Sequence, residues 1–253
     1  MDYLVFRLYG PLAAWGEIAV GGERRSATHP GRSAIIGLLA AAAGIDRHDT
    51  ERQLRMNESY GVAVKLISAG GILRDYHTAQ TAKTERKVTH YTRKSELNAN
   101  KLNTVLSSRE YRTDALAVVS VWVKNNTPLF TLLELEQFLK KPAYHLYLGR
   151  KSCPLAIPLE PQIKQGETLR QALDRAKFLP LICNMYNSDW AKGRELDLFG
   201  CGSVAYFWEK HPTPGMEETQ MTERYDQPLC RKQWQFAPRQ EFMRVETGER
   251  GDG

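Results

Sequence analysis

Basic and aromatic side chains are interleaved along residues 77–112 in a way that would suit contact with a polyanion. This stretch holds eight basic and three acidic residues, an excess of five positive charges, whereas the whole chain has a net charge of +6 at pH 7. Clustering of this kind is typical of a nucleic-acid-binding surface, although a charge run can also be only a solvated face. The basic residues are Lys83, Arg86, Lys87, Arg93, Lys94, Lys101, Arg109 and Arg112.

Cations and rings lie next to each other within this stretch and just before it. A single strand of nucleic acid needs cations for its phosphates and flat surfaces for its bases. Tyr76 and Tyr111 could instead be ordinary strand-packing residues, and Arg74 could pair with Asp75. The candidate contacts are Arg74, Tyr76 and His77 at one root, Lys87, His90, Tyr91, Arg93 and Lys94 in the middle, and Arg109, Tyr111 and Arg112 at the other root.

A second group of candidates surrounds the start of a predicted helix. The N-terminus of a helix exposes free backbone amides and favours anions. Arg24, Arg25 and Arg32, together with Ser33, could therefore form a phosphate seat there. The alternative is that Ser33 only caps the helix and that the arginines are solvated.

A third group combines rings, cations and one glycine between residues 144 and 151. The glycine would let backbone approach RNA closely, and an arginine can fork onto a phosphate or stack on a base. The alternative is a tight turn with surface charges. The residues of this group are Tyr144, Tyr147, Gly149, Arg150 and Lys151.

Hydrophobic patterning predicts the elements that must hold these residues. Runs rich in β-forming residues predict strands, and capped apolar runs predict helices. The expected strands cover 3–8, 61–67, 72–78, 113–123, 203–208 and 240–245, and the expected helices cover 33–43, 50–59, 132–141 and 169–176.

Local signals set several boundaries of these elements. Gly44 followed by Ile45 predicts a Schellman ending, Asp49 an N-cap, and Thr131 with Glu134 a capping box. The turn at 68–71 predicts that the strands on either side of it form a hairpin. Because 78–111 is too long for a structureless loop, we expect a protruding hairpin or helical arm there.

The order strand, helix, hairpin with a large insertion, helix, strand is the split βαβ pattern of a ferredoxin-like domain. The sequence therefore predicts an α+β fold whose main domain covers 1–155. We expect a small, mostly β region at 156–245 and a disordered tail at 246–253.

Composition argues against several other classes of protein. No apolar run reaches the length of a membrane span, and the start does not resemble a signal peptide, so we expect a cytoplasmic protein. The four cysteines form no C-x-x-C pair, which argues against zinc-ribbon and redox motifs. The sequence shows no nuclease-type carboxylate cluster, P-loop or G-x-S-x-G string. We predict no metal and no cofactor.

Five strings in one order carry a resemblance to a known family. On them the chain resembles the CasD family of type I-E CRISPR Cascade subunits, within the RAMP superfamily, over about residues 3–155. The strings are RLYGPLAAWG at 7–16, GRSAIIGLLAAAAGI at 31–45, LRDYHT at 73–78, SREYRTDA at 108–115 and YLGRKSCPL at 147–155.

This resemblance implies a modified ferredoxin-like (RAMP, RRM-like) fold with a long thumb arm at about 78–111. It implies a non-catalytic subunit that caps one end of the complex and holds the 5′ handle of the crRNA. The implied protein neighbours are the CasC backbone and the large subunit CasA, and target DNA is met indirectly through the complex.

Two other functions stay open on the sequence alone. Relatives of this family in other CRISPR systems cut repeat RNA without a metal, and His77, Tyr76 and Lys83 could supply the acid, base and cation of such an endoribonuclease. In the type I-E branch, however, CasE does the cutting. A generic single-strand nucleic-acid-binding accessory protein is the other alternative, which the five ordered strings disfavour.

Overall fold

The computed structural model describes residues 1–19, 21–84, 88–99, 101–180, 202–230 and 235–247. Within these residues, nine strands form one sheet, which is flanked by short helices. The strands are β1 (Asp2–Ala13), β2 (Glu23–Arg24), β3 (Tyr60–Ser68), β4 (Gly71–Ala82), β5 (Leu102–Val123), β6 (Gln162–Gln165), β7 (Val204–Trp208), β8 (Gln220–Cys230) and β9 (Gln235–Glu246). The helices are α1 (Arg32–Ala42), α2 (Thr50–Ser59), α3 (Arg93–Leu97), α4 (Leu132–Lys140) and α5 (Leu169–Asp174).

The sheet has the order β6-β1-β5-β3-β7-β9-β8, and both β2 and β4 pair with β5. Every pairing is antiparallel except that of β2. β5 has 22 residues, and the predicted strand 113–123 is its buried half. Val119 and Val121 face one hydrophobic cluster, which includes α1 and α4, while Val118 and Trp122 face another, which includes α5. This alternation confirms the two buried faces expected from the sequence.

Helix α1 is buried along most of its length, as its nearly uniform apolar composition predicts. Its Schellman ending is confirmed, because the Ile45 amide donates to the Ala40 carbonyl at 2.9 Å and Gly44 has a φ of +70°. The capping prediction for Ser33 is wrong. The N-cap is Gly31 without any side-chain cap, and the Arg32 amide instead donates to Asp226 Oδ2 at 2.7 Å.

The predicted hairpin between the strands on either side of 68–71 is wrong. β3 and β4 do not pair with each other; both run along β5, with Ser68 opposite Leu116 and Gly71 opposite Thr113. Gly70 passes so close to β5 that a Cβ there would lie 1.8 Å from the Thr113 carbonyl oxygen. The turn at 68–71 therefore joins two successive strands that both pair with β5. The hairpin is formed instead by β4 and β5.

The other cap predictions are confirmed. Asp49 accepts a hydrogen bond from the Arg52 amide at 3.0 Å at the start of α2. At α4, Thr131 and Glu134 form both halves of the capping box. β9 runs through Glu246, the first residue of the expected tail, and residues 248–253 of that tail lie outside the described residues.

The C-terminal strands extend the N-terminal sheet, because β7 pairs with β3 and β9. A buried ionic network also joins them to α1. Arg239 Nε donates to Asp226 Oδ1 at 2.6 Å, and its Nη2 to Glu241 Oε1 at 2.7 Å. His29 contacts Glu241 at 3.1 Å. Burial alone would raise the pKa of Glu241, but the hydrogen bond with His29 and the charges of Arg224 and Arg239 lower it to about 2.

His211 makes the stability of the fold depend on pH. Its Nδ1 accepts a hydrogen bond from the Thr213 amide at 3.0 Å, and its Nε2 contacts Tyr3 Oη at 3.3 Å. Burial lowers the pKa of His211 to about 4, whereas that of an unfolded histidine is about 6.5. The unfolded chain therefore binds the proton first, so stability present above pH 6.5 is lost as the pH falls toward 4.

We expect the free energy of unfolding in urea to fall between pH 7 and pH 4.5, and to fall less in His211→Gln than in the wild type. Glutamine does not titrate, so the difference between the two pH dependences isolates His211 from the buried His29. Identical pH dependences in the two proteins would contradict this prediction.

Candidate nucleic-acid interface

Four of the predicted contacts meet around one small recess, which we call the arginine recess. Its volume is about 100 Å³. β5 lies between β2 and β4, with Ser108 opposite Glu23 on one side and opposite Tyr76 on the other. This arrangement brings together residues that are some fifty positions apart in the chain. The lining residues are Glu23, Arg24, Arg25, Arg74, Tyr76, Ser108 and Glu110.

Carboxylates already neutralise part of the charge of the recess. Arg74 Nη2 donates to Glu110 Oε1 at 2.8 Å, and Arg25 Nη2 lies 3.3 Å from Glu23 Oε2. The hydrogen bond from Arg74 is the main reason that the pKa of Glu110 lies below its ordinary value. Both arginines are exposed, but only Arg25 has an exposed partner, and an exposed ion pair contributes only about 0–1 kcal/mol. A phosphate oxygen could therefore replace Glu23 as the acceptor of Arg25.

Tyr76 lies beside these cations with 71% of its surface exposed. Strand packing does not account for it, and its ring is available for stacking. Because neighbouring residues of a strand point to opposite faces, His77 lies on the other face of β4. There it pairs with Asp75. The three candidates at this root are thus divided between two faces.

Arg109 lies on the same face as His77, because it stands opposite Asp75 in the β4–β5 ladder. Its side chain is exposed. Within the part of the chain that the structure describes, the side chain of Arg109 makes no hydrogen bond or ion pair. It is therefore available for a ligand, but it does not line the arginine recess.

Tyr111 is buried inside the protein, which corrects its prediction as a direct contact, whereas the prediction for Arg112 stays a prediction. Tyr111 is 8% exposed and belongs to the main core, because it lies at the point where β5 enters the buried part of the sheet. Arg112 is half-buried and donates to the carbonyl oxygens of Ala27 at 3.1 Å and Ser26 at 3.3 Å.

The group at 144–151 divides in the same way. Tyr144, Tyr147 and Lys151 are exposed. Gly149 has a φ of +86°, and a Cβ there would lie 1.9 Å from the Ala14 carbonyl oxygen. Its conformation is thus required by a close approach to the protein's own backbone, which corrects the prediction that this approach serves RNA.

Arg150 is also engaged by the protein. Its guanidinium lies 4.8 Å from the centre of the Tyr111 ring. It donates to the backbone carbonyls of Glu110 at 3.2 Å and Arg24 at 3.3 Å. The contact of Arg150 with a phosphate stays a prediction, because two of its five N–H groups already donate to backbone carbonyls and the others have no acceptor among the described residues.

The phosphate seat predicted at the start of α1 does not form. Arg32 is 2% exposed, and its guanidinium donates to Glu209, to Asn57 and to the Tyr60 carbonyl. The carboxylate of Asp226 occupies the end of the helix where an anion would bind. Arg24 and Arg25, in contrast, are exposed and belong to the arginine recess.

The far end of the β4–β5 hairpin carries exposed candidates. Tyr91 is 91% exposed, and Lys94 lies in the exposed short helix α3. Arg93 pairs with Glu96 at 2.6 Å and also donates to the Gln80 carbonyl, which ties α3 to β4. Of the two remaining candidates, His90 is partly exposed and Lys87 lies outside the described residues.

The family model described as CRISPR-associated protein (Cas_Cas5) matches residues 3–241. The chain belongs to the Cas5 family. Among curated relatives, this Cas5 chain is 34% identical over 206 residues to the CRISPR system Cascade subunit CasD of Escherichia coli (strain K12). The aligned region covers 77% of this chain and 85% of that relative. The resemblance drawn from the five strings is thereby confirmed.

Two solved structures share the fold of this Cas5 protein. One is a chain of a CRISPR RNA-guided surveillance complex, with a TM-score of 0.63, 22% identity and coverage of 97% of this chain and 90% of that one. The other comes from a crystal structure of a Cas protein, with a TM-score of 0.52, 24% identity and coverage of 97% and 94%. They support a mixed α/β architecture with a large antiparallel sheet.

The site contains residues that sequence reasoning did not select. The arginine recess of this Cas5 chain is also lined by Glu23, Ser108 and Glu110. The one sequence signal for any of them is the string SREYRTDA, which contains Ser108 and Glu110. Among the described residues, no three His, Cys, Asp or Glu side chains are grouped to hold a metal ion. None of the helices in the described residues is long and apolar enough to cross a membrane.

Proposed function

We propose that this Cas5 protein is a non-catalytic crRNA-binding subunit of a type I-E Cascade complex and that it holds the 5′ handle of the guide. The observation that carries this proposal is the arginine recess, where Arg24, Arg25 and Arg74 surround a space of about 100 Å³ next to the exposed Tyr76. Cations for phosphate beside a ring for a base are the requirements of single-stranded RNA.

The recess suits a bent backbone better than a straight one. Arg74 and Tyr76 lie on one face of the β4–β5 hairpin, whereas Arg109 lies on the other. A strand that contacts both sets must pass around the hairpin. We therefore infer that the handle curves over β4 and β5, with one phosphate in the recess and another near Arg109.

We also infer that the core is ferredoxin-like and that the β4–β5 hairpin is the thumb. The order β6-β1-β5-β3, with every neighbour antiparallel, corresponds to the 4-1-3-2 order of the split βαβ pattern. The hairpin leaves this core along β5, and nearly all of β4 is exposed. Exposed Tyr91 and Lys94 at its far end are the thumb residues that we assign to RNA.

The proposed protein partners follow from the relative that is a Cascade subunit. We propose that CasC and CasA are the neighbours and that target DNA is met through the assembled complex, in the cytoplasm. Tyr144, Tyr147 and Lys151 form a second exposed set that RNA or a neighbour can reach.

The nuclease alternative is disfavoured by the position of its residues. His77 and Tyr76 lie on opposite faces of β4, and His77 is paired with Asp75. An acid and a base must both reach the reacting atoms within hydrogen-bond distance. Incubation of the purified chain with labelled repeat RNA in EDTA is expected to leave the RNA intact. A discrete product that is lost in His77→Ala would overturn the non-catalytic assignment.

The proposed function predicts selective and salt-dependent binding. We expect the purified chain to bind a 5′-handle RNA more tightly than an RNA of equal length with a scrambled handle, as measured by fluorescence anisotropy. Affinity for either RNA should fall with rising salt, because each phosphate contact on a single strand contributes about 0.7 to the slope of log K against log salt. Equal affinity for the two RNAs would instead support a generic single-strand-binding protein.

A further inference from the structure

Backbone hydrogen bonds and one buried side chain hold the loop at 147–154 against the core. The Leu148 amide donates to the Cys153 carbonyl at 2.7 Å, and the Cys153 amide donates to the Arg150 carbonyl at 2.9 Å. Leu148 is fully buried, and its carbonyl accepts from the Ala14 amide at 2.9 Å at the end of β1. The side chain of Arg150 therefore extends from a fixed base.

From this base Arg150 crosses β5 and reaches β2. Its guanidinium packs on the Tyr111 ring and donates to the carbonyls of Glu110 in β5 and Arg24 in β2. Both acceptors are backbone carbonyl oxygens. The contacts therefore fix the position of the main chain and do not neutralise a charged side chain. A lysine cannot reproduce them, because it lacks the planar fork of donors and the flat face.

The hydrogen bond from Arg150 matters for β2 because few other interactions fix the backbone of this strand. It is two residues long, and it pairs with β5 only through Glu23 and Arg24, with one further bond from the Ser108 amide to the Gly22 carbonyl at 2.9 Å. The segment after it is fixed separately, because Ser26 bridges to Gly16. Arg150 thus holds the strand that carries Arg24 and precedes Arg25.

We propose that Arg150 is a positioning residue for RNA binding, which sets the place of Arg24 and Arg25 in the arginine recess without touching the RNA. This inference rests on the proposed function of the recess. It gives a new role to a residue that its type and neighbours would otherwise assign to phosphate.

The test compares Arg150→Lys and Arg150→Met in the full chain, with 5′-handle RNA as the probe. A direct single-point contact with a phosphate would be largely retained by lysine, whereas the double-mutant cycle and hydrogen exchange below distinguish positioning from a forked phosphate contact. The contacts of a positioning residue would not be retained, and we expect both variants to weaken binding by about tenfold. Wild-type affinity in Arg150→Lys would overturn the proposal.

A double-mutant cycle gives the second readout. We expect Arg150→Met to have no further effect on RNA affinity when Arg24 and Arg25 are both alanine, because residues that act through each other are not additive. An equal loss in both backgrounds would mean that Arg150 acts independently of them, which would also overturn the proposal.

Hydrogen exchange without RNA separates this inference from the proposed function. In Arg150→Lys, amides at 22–25 should exchange faster, while those of the buried half of β5 stay protected as in the wild type. Unchanged exchange at 22–25 would overturn the positioning role, whatever the RNA result. If exchange rises there but the wild type does not prefer handle RNA, the positioning of β2 stands and the proposed function fails.

Discussion

Replacing Arg32 with alanine is expected to lower the free energy of unfolding by about 3–5 kcal/mol, the usual result of removing one partner from a buried ion pair. The reason is that its guanidinium lies at the centre of a cluster of buried polar residues. It donates to Glu209, to Asn57 Oδ1 at 3.1 Å and to the Tyr60 carbonyl at 2.9 Å. Removal leaves these buried acceptors short of a donor, although Glu209 keeps Lys124 at 2.7 Å.

Urea denaturation of the full chain measures this effect. Arg55→Ala is the matched control, because Arg55 is exposed on α2 and its loss removes the same chemical group from solvent. We expect the control to change the free energy of unfolding by less than about 0.5 kcal/mol. A similar small change for Arg32→Ala would show that the buried network does not stabilise the fold.

Removing Arg24, Arg25 and Arg74 together is expected to cause the largest loss of RNA binding. If each contacts one phosphate of the single strand, the slope of log K against log salt should become shallower by about 2. The affinity for handle RNA should fall by about a hundredfold or more at low salt. Stability should fall only modestly, because Arg25–Glu23 is an exposed ion pair and the mostly buried Glu110, which loses Arg74, keeps the Ser26 amide as a donor.

The matched control replaces three exposed cations on other parts of the surface, Arg55, Lys141 and Lys177. It makes the same change in net charge. If both triple variants lose affinity equally, binding responds to the overall charge and the recess has no special role. Fluorescence anisotropy over a salt series, with urea denaturation of each variant, distinguishes these outcomes.

Local signals predicted much of the fold because their cause is local. Gly44 and Ile45, or Thr131 and Glu134, satisfy the open backbone groups of their own helix, so a few residues contain the whole interaction. The turn at 68–71 misled for a physical reason as well. Glycines permit a tight conformation, but whether the chain then reverses or continues depends on which strand lies beside it.

The site was only partly predictable, because the type of a residue does not reveal its partner. Arg32 and Arg24 are both basic residues near the start of α1, yet the first is buried against Glu209 and the second is exposed. What separates them is a carboxylate 177 positions away. Likewise, β2 reaches the recess by pairing with β5 at only two positions. A strand this short has no hydrophobic periodicity by which the sequence could predict it.

The buried network has a consequence for shortening or exchanging parts of this protein. A chain cut before β7 would bare the edge of β3 along Ala63–Leu66 and strip Arg32 of Glu209 and the α1 N-terminus of Asp226. A hybrid that takes β7–β9 from another protein would keep the α1 contacts only if it supplied carboxylates at the positions of Glu209 and Asp226. Any exchange of the C-terminal strands should therefore include the residues of α1 that they contact.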